Sequence, residues 1–97
     1  MLTNHALSRM VDRFTEQELT EAVELLDRFT REHPEGSHAV KVTTLTGIRG
    51  KAWSDTSNGE VLWAIVRGGA VVTTFLRRST QPATPQNLQV QRVWAWY

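Results

Sequence analysis

A histidine and two arginines recur at every fourth position near the start of the chain, in His5-Ala-Leu-Ser-Arg9-Met-Val-Asp-Arg13-Phe14. At about 100° per residue, a helix gathers such positions on one face. Much later, Thr73-Thr-Phe-Leu-Arg77-Arg78 brings hydroxyls and guanidiniums to the end of what reads as a strand. Imidazole ordinarily titrates at about pH 6.5 and moves protons near neutrality, while guanidinium holds phosphate oxygens bidentately. These are the needs of RNA cleavage without a metal: a base for the attacking 2′-hydroxyl, an acid for the leaving oxygen, and cations for the phosphorane. In that chemistry His5 would take a proton-transfer step and Arg9 or Arg13 would clamp phosphate.

The hydrophobic pattern supplies elements to hold these groups. Leu7, Met10, Val11 and Phe14 recur at spacings of three and four, which predicts an amphipathic helix near residues 4–14 with that stripe inward. His5, Arg9 and Arg13 then lie on the opposite side. Thr15-Glu-Gln-Glu18 fits a capping box, so a second helix should begin at Glu16, carry Leu19, Ala22, Val23, Leu26 and Phe29 inward, and stop at Pro34-Glu-Gly36.

From there the period becomes that of β structure. His38–Thr46, Glu60–Arg67, Ala70–Arg77 and Leu88–Tyr97 read as strands, with Gly68-Gly69 a two-residue hairpin turn and Thr80–Pro85 a rigid surface loop. The turn-rich stretch 47–59 would add a short fifth strand through Ile48 and Trp53. The expected fold class is α+β: one domain over 1–97, with a helical half (1–36) and a sheet half (37–97). Its two N-terminal helices pack on a four- or five-stranded antiparallel meander. By alternation Thr73, Phe75 and Arg77 share one strand face, and Thr74, Leu76 and Arg78 the other. Which set meets the helices is left open by the pattern.

Composition narrows the chemistry further. The chain has 97 residues, 40% apolar and 22% charged, an ordinary balance for one globular domain. It has no cysteine, and His5, His33 and His38 lack zinc-site spacing, so no cofactor or metal is expected. No apolar run approaches a membrane span and no secretory leader is recognised, which makes the cytoplasm the expected compartment.

The net charge of +1 hides a split: eight acids against four arginines in residues 1–36, then seven cations against two acids in 37–97. A basic sheet half suits a polyanion, so the expected partner is RNA, bound on the sheet side through Arg67, Arg77 or Arg78 and Lys51. Trp53, Trp63, Trp94 and Trp96 should serve packing first, with Trp94, Trp96 and Tyr97 able to stack bases where exposed.

The opening His5-x3-Arg9-x3-Arg13 resembles the start of a group of small phage and mobile-element proteins of the barnase-, colicin D- and RelE-like ribonuclease toxin superfamily. Gly59-Glu-Val-Leu-Trp-Ala-Ile-Val-Arg67-Gly-Gly followed by Val71-Val-Thr-Thr-Phe-Leu-Arg77 is similar to that group's central hairpin. The order of two helices and then a meander is shared too, so the resemblance spans most of the chain. It implies a metal-independent endoribonuclease, with His5 and either Arg77 or Thr74 as active groups. Arg67 or Lys51 would be auxiliary phosphate binders, and a cognate antitoxin a partner. The competing expectation is a non-enzymatic protein that binds and inhibits a host protein through its acidic second helix or its Trp-rich C-terminal strand.

Overall fold

The computed structural model describes residues 2–11, 16–42, 60–78 and 83–94. Arg13, Phe14, the Thr15 cap, the Ile48–Trp53 strand, Lys51, Trp96 and Tyr97 lie outside the described residues. Within them the order is α1 (Asn4–Val11), α2 (Glu16–Glu32), β1 (Ser37–Lys41), β2 (Glu60–Arg67), β3 (Ala70–Arg78), α3 (Pro85–Leu88) and β4 (Arg92–Trp94). The α+β class and the two N-terminal helices are as the sequence predicts.

Strands β2 and β3 form the expected hairpin, with Val61 opposite Arg77, Ala64 opposite Thr74 and Arg67 opposite Ala70. The register shifts between Ile65 and Val66, so that Val72 is the extra residue of a bulge. Strand β1 pairs antiparallel with β2, placing His38 opposite Val66 and Val40 opposite Ala64.

The last strand corrects the meander. β4 pairs with β1, not β3, and runs parallel to it, so the sheet is mixed, in the order β3-β2-β1-β4. A meander would have set β4 on the outer edge of β3. That edge is occupied where Leu2 bridges Val71 and the Thr3 amide donates to the Val71 carbonyl at 3.0 Å. The chain instead crosses the opposite face of the sheet and enters at the open edge of β1. The crossing contains α3, a short helix where a loop leading into a long strand was expected. Its cause is local: Thr84 caps it by accepting from the Asn87 amide, Pro85 stands in its first turn, and Gln89 ends it with a left-handed φ of 56°.

Two apolar layers sandwich the sheet. On the face of α1 and α2, Ala6, Met10, Ala22, Leu25, Leu26 and Phe29 meet Val40, Leu62, Ala64, Val66 and Val71. On the other face Ala39, Trp63 and Ile65 are covered by Leu88 and Val90. Thr74 belongs to the helix face, where it is 1% exposed, which settles the alternation the sequence left open.

Helix α1 is turned relative to its predicted stripe. Ala6 and Met10 are its buried residues, while Leu7 is 36% and Val11 52% exposed. On a helical wheel the buried direction has moved roughly 70° toward Arg9. The small Ala6 side chain lets the helix backbone approach β3, which the larger stripe residues would not.

The hairpin turn also holds a position. Gly68 and Gly69 have φ of 57° and 79°, the double positive φ of a type I′ turn. The Gly68 amide donates to the Gly36 carbonyl at 3.0 Å, and a Cβ on Gly69 would lie 3.3 Å from the Pro34 carbonyl oxygen, whereas one on Gly68 meets nothing within 4 Å. Gly68→Asn is therefore expected to change stability by less than about 0.5 kcal/mol, since Asn-Gly suits this turn. Gly69→Ala should cost more than about 1 kcal/mol, because it adds both strain and a crowded contact. Urea midpoints of the two variants check this; equal midpoints would contradict it.

Candidate functional site

The groups that matter meet where α1 lies along β3. Thr3 precedes the helix, and its hydroxyl accepts from the Ala6 amide at 3.1 Å while donating to the Val72 carbonyl at 3.2 Å. One side chain thus caps α1 and ties it to the strand edge. One turn on, the buried Thr74 hydroxyl donates to the Ala6 carbonyl at 3.0 Å. Further along, Arg9 Nε donates to the Thr74 carbonyl at 3.4 Å. Three contacts in succession hold the helix against the edge.

His5 and Arg9 are i,i+4 neighbours on the exposed flank of α1, beside the face that carries Ala6 and Met10. The His5 carbonyl accepts from the Ser8 hydroxyl at 2.9 Å, and its imidazole stands at the surface. The contact to Thr74 uses Nε of Arg9, so the two terminal guanidinium nitrogens still have donors for an anion. An exposed imidazole beside an anchored guanidinium can move a proton while a phosphate is held.

The remaining sequence-predicted residues are distributed unevenly. Thr74 is brought to α1, but its hydroxyl is buried and committed to Ala6, so it positions the helix. Arg77 and Arg78 occupy β3 opposite Val61 and Glu60, three and four residues beyond Thr74, or about 10–13 Å along the strand. Arg67 lies at the turn end of β2, six residues from Val61 and so about 20 Å from the Arg77 position. Its guanidinium donates to the Gln89 carbonyl at 3.0 Å, holding the end of α3 on the face away from α1. Arg67 therefore does not join His5. Arg13 and Lys51 fall outside the described residues.

Trp94 does not offer an open stacking face. It is half-buried, with the Arg92 guanidinium 4.0 Å above its ring and Phe29 edge-on at 5.5 Å. Among the described residues no group of three or more His, Cys, Asp or Glu side chains is close enough together to hold a metal. No described helix is long and apolar enough to cross a membrane.

Sequence reasoning missed Thr3, although its signal was present: a threonine directly before a helical period is an N-cap pattern. No family model matches the chain, and comparisons with curated proteins and with solved structures likewise find no match.

Thr3→Ala removes both the cap and the tie to β3, and should lower stability by about 1–2 kcal/mol in chemical denaturation. Thr3→Ser keeps the hydroxyl and should retain most of that stability. A Thr3→Ala midpoint equal to the parent's would contradict the junction described.

Proposed function

We propose that this protein is a metal-independent endoribonuclease acting on RNA in the cytoplasm, with His5 and Arg9 at its centre. The observation that carries the reading is the pairing on α1: Arg9 is anchored on the Thr74 carbonyl while His5, one turn earlier, stands exposed beside it. The resemblance of His5-x3-Arg9-x3-Arg13 and of the β2–β3 hairpin to the barnase-, colicin D- and RelE-like ribonucleases supports the same reading, as does the basic balance of residues 37–97.

In the reaction the ribose 2′-oxygen bonds to phosphorus as its proton leaves, and the bond from phosphorus to the 5′-oxygen breaks as that oxygen gains a proton. The products are a 2′,3′-cyclic phosphate and a 5′-hydroxyl. His5 carries a proton at one of these two oxygens, and the Arg9 guanidinium neutralises the charge gathering on the phosphorane. Thr74 serves as a positioning residue. Its bonds fix the rotation of α1, which decides where both side chains stand. Arg77 and Arg78 add positive charge further along β3 for the flanking phosphates.

Purified protein should cut RNA in the presence of EDTA, and His5→Ala should reduce the rate by about two to four orders of magnitude. Its unfolding midpoint should stay within about 0.5 kcal/mol of the parent, since an exposed imidazole leaves no cavity. Full cleavage by His5→Ala would remove the assignment, and so would a parent protein that cuts no RNA.

A further inference from the structure

The cluster of rings where α2, β1 and β4 converge lies apart from the His5 site and has a chemistry of its own. The His38 ring is held from both sides: Nε2 lies 2.8 Å from the Glu35 carbonyl oxygen, and Trp94 Nε1 donates to Nδ1 at 3.2 Å. An indole N–H can only donate and a carbonyl can only accept. Both partners are satisfied by one state of the ring alone, the neutral imidazole with its hydrogen on Nε2.

Adding a proton to Nδ1 turns its acceptor into a donor aimed at another donor. It also places positive charge beside Arg92, the parallel-register partner of His38. Among the described residues, the titratable and charged groups on the His38 side of the sheet next to its ring are His33 and Glu32 at the end of α2, Glu35 in the connecting turn and Arg92 on β4, whereas Lys41 and Arg67 fall on the opposite face by alternation. The His33 ring is 5.8 Å from the His38 ring, and Arg92 pairs with His38 in the parallel register while its guanidinium covers Trp94 at 4.0 Å. The two acids, Glu32 and Glu35, are exposed.

Among the described residues, β4 is fastened to β1 by a short set of backbone and side-chain contacts. It pairs with β1 over three positions, His38 with Arg92, Ala39 with Val93 and Val40 with Trp94. Ahead of it, the Gln91 amide donates to the Ser37 hydroxyl at 2.9 Å and the Ser37 amide donates to Gln91 Oε1 at 3.2 Å. The bond between Trp94 and His38 is a side-chain hydrogen bond at the Trp94 end of the strand.

We propose that His38 is an acid-released latch for β4: neutral, it fastens the strand to β1 through Trp94; protonated, it releases the strand and bares Phe29 and the β1 edge. Imidazole titrates in the range where such a device works, between about pH 5 and 8. The latch holds while the ring is neutral and opens when Nδ1 gains a proton.

Nitrogen-15 NMR between pH 8 and pH 5 tests this on the intact chain, with the Trp94 indole signal assigned by its loss in Trp94→Phe. The indole resonance should move as the ring proton signals of His38 titrate, and the hydrogen-exchange protection factors of the Arg92–Trp94 amides should fall at least about tenfold. Gln carries the same acceptor and donor without titrating, so His38→Gln should hold β4 protection constant across the range, while His33→Gln should keep the response. An indole signal and β4 protection unchanged down to pH 5 would overturn the latch. So would a transition that follows the His33 ring signals, or one that persists in His38→Gln.

Discussion

The outer edge of β3 is the constraint on which the rest of the molecule depends. An edge strand presents backbone groups that need partners and, left open, invites another strand to pair with it. Here the N-terminal segment meets that need: Thr3 supplies two donors to the carbonyls of Val71 and Val72, and Arg9 supplies a third to Thr74. The Thr74 hydroxyl completes the seal from the strand side by reaching into the backbone of α1. Occupying that edge has a topological consequence. The final strand cannot continue a meander, so it crosses the sheet and joins β1 in parallel, covering Trp63 and Ile65 on the way.

The same seal sets the rotation of the first helix. Because Ala6 must lie against β3, the buried face swings away from Leu7 and Val11 toward Arg9. That brings the guanidinium down onto the strand and leaves His5 at the rim instead of on the far side of the helix. Edge protection and the proposed chemistry thus share residues. Thr3 and Thr74 hold, Arg9 holds and in the proposed reaction would also bind phosphate, and His5 is left exposed. The second face of the sheet is organised separately, with Arg67 drawn to the end of α3 and so away from the His5 flank.

The elements were legible where a period or a turn signal was unambiguous. The 3.6-residue repeat gave α2, and Gly68-Gly69 between two β-branched runs gave the hairpin and its pairing. The rotation of α1 was not legible, because the largest apolar residues defined the apparent stripe. In the fold a small alanine faces inward, its backbone bonded to a threonine 68 residues away. The parallel β4 was hidden for a related reason: strand order depends on which edge is open, and no local pattern records that the chain's own start closes β3. At the site, His5 and Arg9 were readable as an i,i+4 pair, whereas the burial of Thr74 and the distance of Arg67 depend on register and face. Arg92 and Trp94 were legible as residue types, but their union with His33 and His38 comes from the parallel crossover.

The most direct measurement is a chemical-shift titration of the labelled protein with an oligoribonucleotide blocked by 2′-O-methyl groups, so that it binds but is not cut. The His5 ring signals, the Arg9 Nε–H signal and the amides along the exposed flank of α1 should shift together and saturate as one. Saturable shifts confined to the α3 face or to the cluster of His33, His38 and Trp94, with His5 and Arg9 unmoved, would contradict this.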